Sequence, residues 1–184
     1  MNNERLKTLL EFIEKKRKDT DLIVIAIDGD AGAGKSTLSY DLAKSLNAHI
    51  VHMDDFYLPF EKRKECATCH MDFERVLNSV LIPYKKNETL SYYTYNAHQD
   101  EIVERVNVSH VNVLILEGSY SYHPSLRAYI DISVALKVDE QTQKERIIQR
   151  SNEERYEFFK NVWIQKEKTY QKETDLLNSV DFIL

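Results

Sequence analysis

The segment IDGDAGAGKST, residues 27–37, fits the pattern G-x-x-x-x-G-K-[ST] from Gly29 to Ser36. The whole chain has only four glycines, and three of them, Gly29, Gly32 and Gly34, lie in this segment. Glycine has no Cβ, so successive backbone N–H groups can converge on crowded phosphate oxygens. The segment therefore predicts a loop that holds the polyphosphate tail of a nucleotide.

The sequences on either side of this loop have the order that such a loop requires. Residues 22–27 form an uninterrupted apolar run, which is typical of a strand buried on both faces of a parallel sheet. Residues 36–46 predict a helix with one apolar side, formed by Leu38, Leu42, Ala43 and Leu46. This context disfavours the alternative of an ordinary glycine-rich turn.

The loop and the start of the helix supply the expected nucleotide-binding residues. Lys35 can place a positive charge between the outer phosphates, and the Ser36 hydroxyl can bind Mg²⁺. The helix that begins there adds the positive end of its dipole. The full set is Gly29, Asp30, Ala31, Gly32, Ala33, Gly34, Lys35, Ser36 and Thr37.

Further apolar runs predict the rest of a sheet. They cover residues 48–52, 111–116, 132–138 and 180–184. Helical patterns separate most of them, including one over 72–82 that Pro83 is expected to stop. Alternating strands and helices predict an α/β fold with a doubly wound parallel sheet of about five strands, whose ligands lie beyond the carboxyl ends of the strands.

The length predicts a single domain over residues 1–184. Three parts of it are expected outside the sheet: an N-terminal helix at 1–20, an antiparallel hairpin insertion at 84–110, and a lid with its following helix at 140–172. The N-terminal helix is amphipathic, and its apolar side is formed by Leu6, Leu9, Leu10, Phe12 and Ile13. We expect this side to pack on the core, with partner binding as the alternative.

Composition narrows the set of partners. The chain has 25 basic and 30 acidic residues, a net charge of −5, which disfavours nucleic acid because phosphate backbones select basic surfaces. No apolar run approaches the roughly 20 residues that span a bilayer, and the first residues are charged throughout, unlike a signal peptide. We therefore expect a cytoplasmic protein that binds a small molecule and no membrane; the sequence leaves open whether it forms a homo-oligomer.

Two acidic positions follow predicted strands and suggest phosphoryl-transfer chemistry. Asp54, in MDDFY at residues 53–57, is the candidate catalytic base that orients an acceptor hydroxyl and takes its proton, acting together with Lys35. Asp55 is the fallback, and helix capping is the alternative for both. Glu117, at the end of the 111–116 run, is the expected partner of Ser36 in a Mg²⁺ site, because hard oxygen ligands suit that ion.

Two further segments could reach a bound ligand. Tyrosines of the hairpin could wall a substrate pocket or simply pack across the strands; they are Tyr92, Tyr93 and Tyr95. Arginines of the lid could neutralise charge as it is transferred; they are Arg146, Arg150 and Arg155. The alternative for these arginines is a solvated face paired with Glu153, Glu154 and Glu157.

Cys66, Cys69 and His70 form a Cys-x-x-Cys-His sequence. This sequence matches a c-type haem attachment site, which would require export, and it also matches half of a zinc site, which would need distant histidines. We expect neither, and interpret the segment as a mobile loop with reduced thiols.

Taken together, several of these motifs resemble the uridine kinase and phosphoribulokinase family. The matching stretches are IDGDAGAGKST at 27–37, MDDFY at 53–57, Tyr-Asn at 95–96, LILEGSY at 114–120 and ERIIQRSNEER at 145–155. The last part, residues 158–184, is similar to short bacterial uridine kinase-like proteins. The resemblance implies a P-loop NTPase-type fold and an ATP- or GTP-dependent, Mg²⁺-dependent small-molecule kinase that phosphorylates a hydroxyl. The expected substrate-binding residues are Asp54, Tyr57, Asp72 and Tyr95.

The sequence departs from that family where the acceptor is recognised. The family element Asp-His-Pro-Asp-Ala-Phe-Asp is replaced by CHMDFER at residues 69–75, where Asp72 either binds substrate or caps the following helix. Asn96 replaces an aspartate, and Tyr156 replaces a glycine of the lid. A nucleoside such as uridine or cytidine is the leading expectation. Pantothenate, nicotinamide riboside or a sugar acid is the alternative acceptor, and a nucleotide-binding switch or regulatory ATPase is the alternative class.

Overall fold

The structure, a computed structural model, describes residues 3–18 and 20–184. Its strands are β1 Ile23–Gly29, β2 His49–His52, β3 Leu90–Asn96, β4 Glu101–Val108, β5 Val113–Glu117, β6 Ile132–Leu136 and β7 Phe182–Ile183. Its α-helices are α1 Asn3–Lys16, α2 Lys35–Leu46, α3 Phe73–Val76, α4 Ile82–Lys85, α5 Glu140–Arg150, α6 Glu153–Phe158, α7 Ile164–Glu173 and α8 Leu176–Ser179.

The main sheet has five parallel strands in the order β2-β5-β1-β6-β7. Every residue of β1, β5 and β6 is buried, which explains why these strands have no polar alternation. In the register, Ile27 and His52 lie beside Glu117, so the carboxyl ends of β1, β2 and β5 meet at one edge. The expected α/β doubly wound sheet is confirmed.

Helices cover both faces of this sheet. On one face, Leu9 and Ile13 of α1 pack with Leu38 of α2 against alternate residues of β1, and both α1 side chains are fully buried. The other face packs against α3, α4, α7 and the hairpin. Of the expected 1–20 helix, Met1, Asn2 and Asp19 lie outside the described residues.

The helical path near Pro83 differs from the prediction. Instead of stopping at Ile82, the chain runs from α3 through a π-helical turn, Leu77–Leu81, into α4, which continues to Lys85. Pro83 follows directly on the π-helical turn, in which Ile82 N donates to Leu77 O, and this local widening of the helix accommodates a residue that has no N–H. The expectation that Pro83 ends the helix is therefore wrong.

Strands β3 and β4 form a separate two-stranded antiparallel sheet, with a register shift between Tyr93 and Tyr95. Tyr92 and Tyr95 are buried, whereas Tyr93 is exposed. Tyr92 packs on Phe56, with a ring-centroid separation of 5.5 Å. The hairpin thus stands beside the segment that follows β2.

Cys66 and Cys69 are joined by a disulfide. The expectation of reduced thiols in this segment is therefore wrong, because cysteine spacing alone does not reveal the oxidation state. None of the helices formed by residues 3–18 and 20–184 combines the length and apolar character that a bilayer crossing demands.

Candidate functional site

A cleft of about 1250 Å³ opens at the carboxyl edge of the main sheet, between the glycine loop and the helices after β6. The sequence-predicted residues that line it are Ala31, Gly32, Ala33, Gly34, Lys35, Ser36, Thr37, Asp54, Tyr57, Glu117, Arg146, Arg150 and Arg155. Gly29, Asp30, Asp72 and Tyr95 are not among the lining residues. The fold therefore brings most, but not all, of the expected residues to one cavity.

The glycine loop is shaped by close packing as well as by its backbone angles. Gly29 has φ of 122°, and a Cβ there would lie 2.1 Å from the carbonyl oxygen of Leu136 in β6. The Asp30 carboxylate accepts hydrogen bonds from Lys137 Nζ at 3.0 Å and from Gln171 Nε2 at 2.9 Å. Gly29 and Asp30 thus anchor the loop beneath the cleft floor.

Lys35 is held inside the curve of this loop and is only 9% exposed. Its Nζ donates hydrogen bonds to the carbonyl oxygens of Gly29 and Asp30, both at 2.9 Å, and to Ser119 Oγ at 3.3 Å. The ammonium is therefore fixed at the cleft floor, where an anion would meet it.

Ser36, Glu117 and His52 form a hydrogen-bonded row at the edge of the sheet. Ser36 Oγ donates to Glu117 Oε1 at 3.0 Å, and Glu117 Oε2 lies 2.7 Å from His52 Nδ1. Burial alone would raise the pKa of Glu117. The hydrogen bond and charge of His52, together with Lys35 and Ser36, outweigh burial, so the pKa of Glu117 is lowered. The same hydrogen bond raises the pKa of His52.

Asp54 and Asp55 lie on a 3₁₀ turn, Met53–Phe56, directly after β2. Asp54 is exposed to the open cleft, and the protein around its other sides reduces the access of bulk water to its carboxylate. This desolvation, followed by the charge of Glu117, raises the pKa of Asp54 despite the opposing effects of Lys35 and the Tyr57 hydroxyl. Among the side chains that the structure describes, none caps this turn.

The three lid arginines line the cleft in different ways. Arg146 Nη1 donates to the carbonyl oxygen of Gly32 at 2.9 Å, and the Arg150 guanidinium lies 5.7 Å from the Phe159 ring centroid. Within the described residues, the side chain of Arg155 forms no hydrogen bond or ion pair. Over the same residues, no lid arginine pairs with the glutamates considered from the sequence, Glu153, Glu154 and Glu157.

Two expected substrate residues are engaged in supporting contacts. Asp72 caps α3 by accepting from Arg75 N at 3.0 Å and pairs with Arg75 Nε at 3.3 Å. Tyr95 donates to Asp100 Oδ1 at 2.6 Å, and its ring packs edge-on against Tyr57 at 5.9 Å. Both residues therefore lie behind the cleft wall to which Tyr57 belongs.

Glu167 of α7 belongs to the site but was not identified from the sequence. It is 7% exposed, and it accepts hydrogen bonds from Ala31 N at 2.9 Å and Ser119 Oγ at 2.6 Å. Burial raises its pKa, although Lys35 and these hydrogen bonds oppose the shift. The available signal was its position between the buried residues Ile164 and Tyr170, on the apolar side of a helix that is otherwise charged.

Comparisons with known proteins identify the family of this chain. A sequence model of the Phosphoribulokinase / Uridine kinase family matches residues 24–173. The uridine kinase of Lactobacillus helveticus (strain DPC 4571) is 28% identical over 149 residues, which cover 72% of this chain and 69% of that protein. The uridine kinase of Ligilactobacillus salivarius (strain UCC118) is 31% identical over 162 residues, which cover 80% of this chain and 75% of that protein.

Solved structures share the fold. One described as a possible uridine kinase from Bacillus stearothermophilus has a TM-score of 0.73 at 19% identity, covering 98% of this chain and 99% of that one. The D-glycerate 3-kinase of Cryptococcus neoformans var. grubii serotype A has a TM-score of 0.63 at 16% identity, and the match covers 92% of this chain and 88% of that one.

Proposed function

Because the chain belongs to the phosphoribulokinase and uridine kinase family and is a small-molecule kinase, we propose that it transfers the terminal phosphoryl group of ATP or GTP to a hydroxyl of a nucleoside. Uridine is the first acceptor to consider, since the relatives named above are uridine kinases. Cytidine is the other pyrimidine nucleoside expected from the sequence. The fold alone would not select this acceptor, because one fold serves many substrates.

One observation carries the proposal: Asp54 lies in the same cleft as Lys35 and Glu117, close enough for both charges to act on its pKa. A carboxylate opposite the phosphate-binding loop can accept a hydrogen bond from the acceptor hydroxyl and hold it in line with the phosphoryl group. Asp54 would then take the proton late in the transfer. A nucleotide switch would have no use for a base in this position.

The nucleotide side of the reaction is assigned to the glycine loop and the lid. The loop N–H groups and Lys35 would bind the phosphates, which would compete for the ammonium with the carbonyl oxygens it now contacts. Arg146, Arg150 and Arg155 would neutralise charge on the transferred group. Among them, Arg155 is the arginine with no competing contact in the described part of the chain.

The residues present fit a magnesium ion beside the phosphates. Ser36 and Glu117 offer hard oxygen donors that already contact each other at 3.0 Å, and the lowered pKa keeps Glu117 ionised. In residues 3–18 and 20–184, no group of three or more His, Cys, Asp or Glu side chains is arranged to hold a metal. The remaining ligands would be phosphate oxygens and water, and the ion would supply charge neutralisation.

On the acceptor side, we assign direct contact to Tyr57 and supporting roles to Asp72 and Tyr95. Tyr57 lines the cleft, and its hydroxyl is one of the groups that act to lower the pKa of Asp54. Arg75, which Asp72 holds, donates to the Tyr57 carbonyl oxygen at 3.2 Å. Asp72 would therefore act on the acceptor through the position of the Tyr57 backbone, and Tyr95 through its packing on the Tyr57 ring.

The deciding experiment is an acceptor screen that measures ADP or GDP release with each nucleotide and Mg²⁺. The panel contains uridine, cytidine, pantothenate, nicotinamide riboside, sugar acids and small polyols. We expect release that depends on a pyrimidine nucleoside, with Lys35→Ala inactive and Lys44→Ala, an exposed lysine of the same helix, active. Steady hydrolysis with no acceptor dependence would contradict the proposal and support a nucleotide switch.

A further inference from the structure

The disulfide between Cys66 and Cys69 closes a surface loop that the proposed reaction does not use. Cys66 is exposed and Cys69 is half-buried, so a small thiol can reach the bond. The backbone hydrogen bonds of the loop are local: Cys66 N donates to Lys64 O at 3.1 Å, and Lys64 N to Cys69 O at 3.4 Å. The covalent bond is therefore a major constraint on this segment.

His70, the next residue, is buried without a polar partner. It is 1% exposed, and neither ring nitrogen has a hydrogen bond in the described part of the chain. Burial, with the charges of Lys166 and Arg63, lowers the pKa of His70 to about 3, so the ring is neutral. Burying an imidazole whose nitrogens lack partners costs free energy, so the surrounding structure must hold it in place.

The ring of His70 lies directly behind the wall of the cleft. Its centroid is 5.4 Å from that of Tyr57 and 5.0 Å from those of Tyr120 and Trp163, and these three aromatic residues line the cleft. The backbone is linked as well, since Leu58 N donates to His70 O at 2.9 Å. Displacing His70 would therefore remove the support of Tyr57 and Trp163.

We propose that the Cys66–Cys69 pair is a thiol–disulfide switch for acceptor binding, in which the disulfide holds His70 behind Tyr57 and Trp163 and reduction releases it. The open chain gains conformational entropy on reduction, while His70 gains hydrogen bonds to water on leaving its aromatic surroundings. Both changes favour the displaced ring. The link to the acceptor rests on the proposed function, whereas the movement of His70 does not.

A dithiol can act as the reductant of the Cys66–Cys69 disulfide. One thiolate of the dithiol attacks a sulfur of the Cys66–Cys69 bond, which breaks and leaves a mixed disulfide and one cysteine thiolate. The second thiolate of the reagent displaces the remaining cysteine, so the protein gains two electrons and two protons as the dithiol becomes a cyclic disulfide. An oxidised dithiol reverses each step.

The test compares protein equilibrated with reduced and with oxidised dithiothreitol. The chain has a single tryptophan, so Trp163 emission reports on its contact with His70. Reduction should shift this emission and raise the acceptor KM about fivefold or more, while the ATP KM changes by less than about twofold. Identical emission in the two states would overturn the proposal, whatever the acceptor proves to be.

Two variants separate the switch from general effects of the reagent. Cys66→Ser with Cys69→Ser should match reduced wild type in both buffers; the chain has no other cysteine. His70→Phe keeps an aromatic ring at this position without unpaired nitrogens, so it should keep the oxidised behaviour in both buffers. Persistent redox sensitivity in His70→Phe would refute the role of His70. An active kinase with a redox-independent KM would refute the switch and leave the proposed function intact.

Discussion

Asp54 and Glu117 lie in one cleft, yet their pKa values shift in opposite directions. The pKa of Asp54 is raised by burial and by Glu117, whereas the pKa of Glu117 is lowered by its contact with His52 despite burial. Environments that separate two carboxylates in this way suit different tasks. We infer that Asp54 handles a proton and that Glu117 stays ionised to face a cation.

We expect Asp54→Asn to lower kcat by about 100-fold or more, because the amide can position a hydroxyl but cannot accept its proton. ATP binding should be retained, since Asp54 is outside the glycine loop. Steady-state kinetics and nucleotide titration measure the two effects.

The matched control is Asp55→Asn, which changes the neighbouring carboxylate on the same turn. Asp55 also lines the cleft, so the pair compares two similar side chains at one place. A small effect at Asp55 and a large one at Asp54 supports the assignment. The reverse pattern would make Asp55 the base.

The contact between His52 and Glu117 predicts a pH-dependent stability. Because the pKa of His52 is raised, His52 adds to the free energy of unfolding. This addition is fully present below pH 6.5, its ordinary pKa, and is lost as the pH rises through the raised value. Because the pKa of Glu117 is lowered, Glu117 also adds to the free energy of unfolding. Its addition is fully present above pH 4.5, its ordinary pKa, and is lost as the pH falls through the lowered value. The pair should therefore contribute most between these two ordinary values.

Urea unfolding of wild type and His52→Asn measures this contribution. The loss of unfolding free energy in the variant should be about 1 kcal/mol or less near pH 5.5, because His52 is 37% exposed. It should shrink by pH 8.5. A difference that is constant over this range would contradict the assigned direction of the pKa shifts.

At the scale of elements, β1, the glycine loop and α2 form one unit whose geometry depends on contact with β6. We expect Gly29→Ala to lower the unfolding free energy by more than about 4 kcal/mol, because its Cβ would strike the backbone of Leu136 at 2.1 Å.

Gly34→Ala is the matched control. Gly34 has φ of 99°, and within the described ranges, its chain neighbours aside, no atom lies within 4 Å of a Cβ placed there, so strain alone should cost about 1–2 kcal/mol. Equal losses in thermal or urea unfolding would refute the clash.

The proposed lid includes α5 and α6, the two helices that carry Arg146, Arg150 and Arg155. We expect Arg155→Ala to lower kcat by about 100-fold, because this side chain is available to stabilise charge on the transferred group. Arg155→Lys keeps the charge without the planar guanidinium and should recover part of the loss. If both variants retain wild-type kcat, Arg155 does not contact the transition state.

At the scale of the whole molecule, the sheet separates two apolar clusters, and α1 completes one of them. Leu9→Ala should lower the unfolding free energy by about 2–5 kcal/mol, since Leu9 is fully buried. Leu10→Ala, next along α1 and half-buried, should cost about 1 kcal/mol. Chemical denaturation checks both values. A small loss at Leu9 would instead favour a partner-binding role for α1.

Local patterns in the sequence predicted the strand, loop and helix around Gly29, the apolar strands and the hairpin. These patterns are informative because backbone preference and hydrophobic periodicity are properties of neighbouring residues. The family followed from motifs that occur in a fixed order along the chain. Pro83 shows the limit of local rules, because a π-helical turn before it allowed the helix to continue.

The tertiary structure alone decided which distant residues meet. The contacts of Glu167 with Ala31 and of His52 with Glu117 span 136 and 65 positions in the chain, and no local pattern encodes such pairs. The strand order and the packing of α7 on the loop create them. The sequence thus determined a phosphate-binding α/β chain, whereas the cleft, its shifted pKa values and the setting of His70 arise only when separate segments share one edge of the sheet.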